Sequence, residues 1–453
     1  MRSGAGRRLG PDPRRRVAAP IDPLGQPSAL PACRHAGGVM RFCFVHAADL
    51  HLDTPFTGLG TVPPEIRPLL RDASLIAFDN LVDLAIERGA AFVLLAGGIY
   101  DGPERGLRAQ VRFRAGLERL ANRGIPVFLV TGEREQPGDW AAIRDWPSNV
   151  TWFAHGANAP VPVVRDGQRL ATIYGASGAA RHGTQGFDRV DAPGVHVGLL
   201  HLPRYTTADL GALHAPPAAG MDYWALGGEH AAQVAGDGSP RRVYPGTTQG
   251  RGPQPEELGP KGAMVVPVED GVVGPPEFVS LAPVRVLSLT LDIAGVPDLA
   301  ALREELLARA AALRVQHPVS GLILHVALHG DGAARGALQT DGGAAALLRD
   351  LRAQTWDGSP FVWWATLRDA TRPASALAAA RRRTDFAAEV LRLAEELAAD
   401  PARLREVLAD RLTVPPAGAL DHAAATPDAA EVADLLSDAA ALAVDLLEER
   451  DRP

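Results

Sequence analysis

Apolar and polar positions follow two alternating patterns between residue 40 and about residue 270. Short apolar runs predict buried strands, and apolar residues at helical spacing predict helices between them. Leu75, Phe78 and Val82 recur at helical spacing, and Gly89 stands where a helix C-cap belongs. The elements predicted next are a strand over 91–96, a helix over roughly 104–122 and a strand over 125–130. Strands that alternate with helices are typical of an α/β layered domain.

The later apolar runs of this region are short, and few helical patterns separate them. They predict strands over 195–200, 223–226, 242–244 and 263–266. Successive strands without helices between them favour a second sheet that packs on the first. We therefore expect an α/β domain over 40–275 with four layers, in which two sheets are flanked by helices.

Pro275, Pro276 and Pro283 predict a linker, and the pattern beyond it is that of a small α+β cap domain over 284–370. Its predicted strands cover 284–293, 322–328 and 361–367. Aromatic residues gather near its end, at Trp356, Phe361, Trp363 and Trp364. They suit the core and rim of this domain, and stacked aromatics would also suit single-stranded DNA.

Residues 380–450 are rich in Ala, Leu, Glu and Arg and predict C-terminal helices. Phe386, Val390, Leu393 and Leu397 fall on one helix face. Amphipathic helices that follow a complete domain need a surface to bury against, and both a partner protein and the parent domain would provide one. We expect a helical tail that docks on a partner.

The composition is that of a globular chain of more than one domain, with 453 residues of which 46% are hydrophobic and 22% charged. The two cysteines, Cys33 and Cys43, lack metal-site spacing and cannot form a disulfide framework, so we expect a cytoplasmic protein. No apolar run approaches the roughly 20 residues that span a bilayer, and we expect no membrane association.

Residues 1–39 hold seven arginines against two acids and no apolar segment of the kind found in signal peptides. This predicts a disordered basic leader that is not part of the fold, with Met40 as the functional start. The net charge of the whole chain is −7, so the chain beyond the leader is acidic. An acidic body argues against indiscriminate binding of nucleic acid.

The first candidate chemistry stands at the end of the first apolar run, in FVHAADLHLD at 44–53. Asp49 and His51 follow the predicted strand two residues apart, and a carboxylate and an imidazole so placed can bind one divalent metal. A solvated loop would also explain this pair. Its meaning depends on whether later strand ends supply further ligands.

Polar residues also follow four later predicted strands along the chain. They read LLAGGIYD at 94–101, VTGERE at 130–135, GLLHLPRY at 198–205 and DYWALGGEH at 222–230, the last followed by YPGTTQGR at 244–251. With the opening motif, this order resembles the calcineurin-like metallophosphoesterase superfamily, and most closely the YhaO-like branch of the SbcD-type DNA repair exonucleases. The resemblance implies a metallophosphoesterase sandwich and two-metal hydrolysis of phosphodiesters, usually with manganese.

When the family motifs are aligned with this sequence by position, four residues match metal ligands of the family. Asp49, His51 and His230 match ligands of the first metal, and His201 matches a ligand of the second metal. Asp101 is also retained, either as a residue that orients a ligand or as the N-cap of the next helix.

Four other positions depart from the family pattern. Gly98 replaces the bridging Asp, Glu133 replaces an Asn ligand, Arg134 replaces the histidine that assists phosphate chemistry, and Gly228 replaces the first histidine of the last motif. We therefore expect one Mn²⁺ rather than two, with Glu133 as a candidate ligand and Arg134 as a candidate phosphate stabiliser.

The resemblance implies an SbcD/YhaO-like subunit that acts on DNA ends, whose C-terminal helices dock on an SbcC-like coiled-coil ATPase. The replaced residues imply that its hydrolysis is weakened or lost. A one-metal phosphodiesterase and a phosphatase of small phosphorylated molecules stay open as alternatives, as does a homodimer.

Overall fold

The computed structural model describes most of the chain between residues 41 and 400. The described residues are 41–101, 106–132, 135, 145–156, 158–178, 187–202, 220–235, 240–340, 342–354, 360–371, 382–400, 403, 436 and 440. They form two compact units. The first comprises the chain up to Phe56, Pro63–Arg251 and Gly259–Arg285, and the second comprises Thr57–Val62, Gly252–Leu258 and the chain from Val286.

The first unit contains two helices, α1 (Arg67–Glu87) and α2 (Leu107–Ala121). Its strands are β1 (Arg41–Ala47), β2 (Val93–Ala96), β3 (Val127–Val130), β4 (Val150–Trp152), β5 (Val161–Arg165), β6 (Gln168–Ala176), β7 (Val195–His201), β8 (Tyr223–Gly227), β9 (Gln233–Ala235), β10 (Arg241–Tyr244), β11 (Gly262–Glu269), β12 (Val272–Val273) and β13 (Glu277–Ser280).

These strands form two mixed sheets. The seven-stranded sheet has the order β12-β11-β1-β2-β3-β4, with β13 paired to β11, and the six-stranded sheet has the order β5-β6-β7-β8-β10-β9. Strands β1 to β4 run parallel, as do β6, β7, β8 and β10. The carboxyl ends of the parallel strands therefore meet at one edge of each sheet.

Strand β1 shows how its sequence builds the layers, because successive side chains of a strand point to opposite faces. Cys43 and Val45 join the core that α1 and α2 cover, whereas Phe42 and Phe44 join the core between the two sheets. Burial on both faces explains why this strand reads as a continuous apolar run.

The predicted α/β sandwich of two packed sheets is confirmed. The outer face of the six-stranded sheet carries a third cluster that includes Tyr174, Leu200 and Trp224. Within the described residues no helix belongs to that cluster. The segment at 275–283, whose prolines predicted a linker, contains β13, which pairs antiparallel with β11 and belongs to the first unit.

The second unit has a three-stranded sheet of order β14-β15-β16, formed by Val284–Asp292, Gly321–His329 and Val362–Asp369. Its helices are α3 (Leu299–Gln316), α4 (Arg335–Gln339), α5 (Gly343–Ala353) and α6 (Phe386–Ala399), with a short 3₁₀ helix at Pro255–Glu257. Helix α3 begins after Asp298, whose carboxylate accepts a hydrogen bond from the Ala301 amide at 2.8 Å.

Two tryptophans of the second unit lie in its interior. Trp364 is 1% exposed and Trp363 6% exposed. The Trp363 indole N–H donates to the Leu59 carbonyl at 3.0 Å, and the Arg352 guanidinium lies 4.7 Å from the centre of its ring. These two tryptophans therefore belong to the core rather than to a platform for bases, and Trp356 lies outside the described residues.

Helix α6 buries a different face from the one predicted. Ala387 and Leu391 pack with Ala440, whereas Phe386 is 69% exposed and Leu393 46% exposed. Most of the tail beyond residue 400 lies outside the described residues. No described helix is both long enough and apolar enough to cross a membrane.

Candidate metal centre

Five segments at the carboxyl ends of parallel strands bring polar groups together. The segments after β1, β2 and β3 belong to one sheet, and those at the ends of β7 and β8 belong to the other. Side chains of the two sheets approach each other here: His51 Nε2 lies 3.0 Å from His230 Nε2, and Asp49 Oδ1 lies 3.9 Å from His201 Nδ1. The packing of the two sheets therefore assembles one site from residues distant in sequence.

Three of these residues offer converging donor atoms. One ligand atom each from Asp49, His51 and His230 lies within 4.8 Å of the other two. Asp49 and His51 are buried, and His230 is partly buried. Within the described residues this is the one group of three or more acidic, histidine or cysteine side chains that could hold a metal.

Asp101 orients the His51 ring. Its Oδ1 lies 2.9 Å from His51 Nδ1, and its Oδ2 accepts hydrogen bonds from Arg251 Nη1 at 3.0 Å and Thr54 Oγ1 at 3.1 Å. Burial opposes ionisation of Asp101, but the contacts with His51 and Arg251 hold the pKa of its carboxyl well below the usual value. Burial also lowers the pKa of His51, against the influence of Asp101. The neutral ring then donates through Nδ1 and directs the Nε2 lone pair at His230.

The alternative role of Asp101 as a helix N-cap is wrong. Helix α2 begins at Leu107, and its N-cap residue is Gly106, which has no capping side chain. Asp101 lies too early in the chain to cap it.

Asp49 is held by one backbone amide and one side-chain hydroxyl. Its Oδ2 accepts from the Gly228 amide at 2.8 Å, and its backbone carbonyl accepts from Thr247 Oγ1 at 2.6 Å. Both Asp49 and His51 have positive φ, at 50° and 42°, a region that non-glycine residues rarely adopt. Such strain concentrates at functional sites because the surrounding contacts impose it.

Position 98, which carries the bridging Asp in the family, is shaped for glycine. Gly98 has φ 65°, and a Cβ there would lie 2.8 Å from Asp49 Cα and closer still to Asp49 Oδ1. Gly228, at another replaced position, has φ 104°. The two glycines are therefore parts of the local backbone geometry and not mere gaps in a ligand set.

His201 lies beside the three converging donors but is not one of them. Its Nδ1 contacts the Ala96 carbonyl at 2.9 Å, and its ring packs against Gly97, where a Cβ would lie 2.6 Å from Nδ1. With Nδ1 directed at a carbonyl, the Nε2 lone pair is available. Its role as a ligand of a second metal stays a prediction, and the candidate residues Glu133 and Arg134 lie outside the described residues.

Comparison with known proteins gives consistent matches to one family. Residues 287–372 match the family model of the middle domain of metallophosphoesterase YhaO. The chain is 35% identical over 245 residues to metallophosphoesterase YhaO of Bacillus subtilis (strain 168), which covers 50% of this chain and 58% of that protein. It is also 25% identical over 225 residues to the DNA double-strand break repair protein Mre11 of Aeropyrum pernix, covering 45% of this chain and 52% of that protein.

Over these stretches the chain is similar to metallophosphoesterases of the YhaO and Mre11 type. It spans somewhat more than half the length of these two relatives. Among solved structures it is similar to a dimetal phosphatase from Danio rerio, at 13% identity and a TM-score of 0.29, over 53% of this chain and 99% of that one. Metallophosphoesterases use divalent metal ions, so the fit of the converging donors to such an ion can be tested by their geometry.

The three converging donors fit a divalent ion. The Nε2 atoms of His51 and His230 are separated by 3.0 Å, so one ion could be reached by both at metal–nitrogen distances of about 2.1 Å. Asp49 Oδ1 lies 4.0 Å from His51 Nε2, so a carboxylate oxygen would be available to the same ion. Two imidazoles and one carboxylate are a set that suits a transition metal with open positions.

Glu135 is a site residue that the sequence reasoning missed. It follows β3, is 3% exposed, and its carboxylate accepts hydrogen bonds from four backbone amides of two neighbouring segments. Burial raises the pKa of this carboxyl, opposed by the Gly132 amide and by His201. The available signal was the second acid in VTGERE, which no apolar pattern explains.

Proposed function

We propose that this chain is a one-metal phosphodiesterase of the SbcD/YhaO type that acts on DNA ends with weakened hydrolysis. The observation that carries the proposal is the convergence of Asp49, His51 and His230 beside a glycine at the position of the family's bridging carboxylate. Three ligands can hold one ion, and position 98 offers no side chain to share with a second.

The chain's own residues would bind and orient the ion. Asp49 would supply one carboxylate oxygen, and His51 and His230 would each supply Nε2, with Asp101 fixing the His51 ring. A divalent ion bound there would act as a Lewis acid toward a phosphodiester oxygen. We propose Mn²⁺ as this ion, on the resemblance to manganese-dependent relatives.

A protein partner is the second part of the proposal. The exposed Phe386 and Leu393 are seven residues apart, so they lie on one face of α6. We propose that this face contributes to docking on an SbcC-like coiled-coil ATPase. Phe386→Ser with Leu393→Ser should weaken co-purification with that ATPase without changing metal binding, and unchanged co-purification would contradict the docking role.

The metal proposal is tested by titrating the purified full chain with Mn²⁺ in a calorimeter and by assaying a DNA duplex with a free end. We expect one tightly bound ion per chain and slow cleavage, with both lost in His230→Ala. His317→Gln, which changes a histidine of the second unit, is the matched control and should leave both intact.

The substrate class is separated by two chromogenic esters. Faster hydrolysis of a phosphodiester than of a phosphomonoester is expected for the nuclease type, and the reverse order would favour a small-molecule phosphatase. Two tightly bound ions together with rapid cleavage of DNA would contradict the one-metal proposal.

A further inference from the structure

The Glu135 carboxylate lies in a row of backbone amides. Its Oε1 accepts from the amides of Ile99 at 2.7 Å and Tyr100 at 3.1 Å. Its Oε2 accepts from the amides of Gly98 at 3.2 Å and Gly132 at 2.7 Å. Three consecutive amides after β2 therefore point at one anionic group, an arrangement that a backbone concavity with positive-φ residues provides. Gly97 and Gly98 have the required positive φ, at 77° and 65°.

The Glu135 carboxylate and residues 97–100 are buried, so these hydrogen bonds form away from solvent. Hydrogen bonds to an ionised acceptor are roughly twice as strong as those between neutral groups. Buried donors left without an acceptor each cost about 1 to 3 kcal/mol. The position of the segment 97–101 therefore depends on the side chain of Glu135.

The carbonyl groups of the same segment hold the ligand loop. The Asp49 amide donates to the Gly97 carbonyl at 2.9 Å, and the His51 amide donates to the Gly98 carbonyl at 2.9 Å. The Leu52 amide donates to the Ile99 carbonyl at 2.8 Å. Each of the three peptide groups between residues 97 and 100 therefore donates its N–H to Glu135 and accepts, through its carbonyl, from the loop that bears Asp49 and His51.

We propose that Glu135 is a positioning residue for the metal centre: it sets the place of Asp49 and His51 through the backbone of residues 97–100, and that of Asp101, which follows directly. The inference rests on the proposed function, because Glu135 would position the ligands of the same ion. Glycine at position 98 offers the ion no side-chain ligand. The segment therefore acts on the centre through its backbone, and Glu135 is the group that fixes that backbone.

The test compares Glu135→Gln with the unchanged full chain, using Co²⁺ as a spectroscopic probe of the centre. A carboxamide has one accepting oxygen, and its NH₂ group would face two amide donors, so the segment should shift. We expect at least a tenfold weaker affinity for Co²⁺, as for other residues that support metal ligands, and altered visible absorption bands. Without metal, hydrogen exchange at the amides of Gly98, Ile99 and Tyr100 should be faster.

Asp222→Asn is the matched control. Asp222 is also a carboxylate that accepts from a backbone amide, that of His196 at 2.8 Å, but it lies at the opposite end of β7 and β8. The Asp222→Asn substitution should lower thermal stability without changing the positions of the Co²⁺ absorption bands. If Glu135→Gln does not fold, Glu135→Asp retains the charge with a side chain too short to reach all four amides, and the same weaker affinity is expected.

The outcomes separate the two proposals. If the unchanged chain binds Co²⁺ and a folded Glu135 variant binds it with the same affinity and the same bands, the positioning role is overturned while the metal centre stands. If the unchanged chain binds no Co²⁺, the metal centre itself fails, and the role proposed for Glu135 fails with it.

Discussion

Replacing Gly98 by Asp restores the bridging carboxylate of the family motif, yet the structure predicts that it damages the metal centre. The substitution adds a Cβ that would lie 2.8 Å from Asp49 Cα, at a residue with φ 65°. The obstacle is a backbone atom, so rotation of the Asp49 side chain cannot remove it. We expect Gly98→Asp to displace the ligand loop rather than to recruit a second ion.

The displacement follows from the distances. Ordinary van der Waals contact begins near 3.4 Å, so the Asp49 backbone must move by about 0.6 Å, whereas metal–ligand distances tolerate deviations of about 0.2 Å. Left-handed backbone at a non-glycine residue adds about 1 to 2 kcal/mol of strain. We therefore expect the affinity for Mn²⁺ to fall at least tenfold, which corresponds to about 1.4 kcal/mol of binding free energy.

The assay is a calorimetric titration with Mn²⁺ that gives both affinity and stoichiometry. Gly98→Ala adds the same Cβ without the carboxylate and should weaken binding to a similar extent. Gly89→Asp is the control for backbone strain, because Gly89 has φ 61° with no atom within 4 Å of its Cβ position, and it should leave the affinity unchanged. Two bound ions and faster hydrolysis in Gly98→Asp would refute the steric reasoning.

Three further predictions concern other groups. Asp101→Asn should weaken Mn²⁺ affinity about tenfold, because a carboxamide holds the His51 ring less firmly, and unchanged affinity in the same titration would remove its orienting role. Burial lowers the pKa of His46 to about 3, so below the ordinary pKa of about 6.5 the unfolded chain takes up a proton there that the folded chain does not. The free energy of unfolding should fall as pH drops, by about 2 kcal/mol from this group at pH 5, and urea unfolding of His46→Gln should show a shallower pH dependence. Arg352→Ala should lower the unfolding free energy of the second unit by about 2 kcal/mol, because it removes two hydrogen bonds to backbone carbonyls and the contact with Trp363. In thermal unfolding, Arg352→Lys should be no more stable than Arg352→Ala.

The sequence predicted the layered fold where apolar runs are long and buried on both faces, as in β1 to β3. It missed the hairpin of β5 and β6, in which the first strand has only five residues and is mostly not buried. The missed signal was Asp166-Gly167 between the two strands, since both residues adopt the positive φ of a two-residue hairpin turn. In α6 the apolar face was expected to bury against a partner protein or the parent domain, and the side chains buried in the structure are those of Ala387, Ala388 and Leu391.

The sequence also predicted which residues form the centre more readily than how they are held there. Asp49 and His51 were identified as a carboxylate and an imidazole two residues apart, and His230 through the resemblance of its motif to the family; the structure brings the three together. The place of Glu135 could not be predicted, because its partners are backbone amides, which every residue has. The close approach at Gly98 likewise depends on a tertiary contact with Asp49 that no local pattern records.

Backbone strain gives an independent reason to regard the ligand loop as organised for binding. Five non-glycine residues in the described part of the chain have positive φ. Asp166 and Asp270 each precede a glycine in a two-residue hairpin turn that requires this conformation. The other three, Asp49, His51 and Asp53, lie in one loop that no hairpin constrains. Each costs about 1 to 2 kcal/mol, and the contacts that impose it turn Asp49 and His51 toward the point that His230 also faces, which is the arrangement a single bound ion would stabilise.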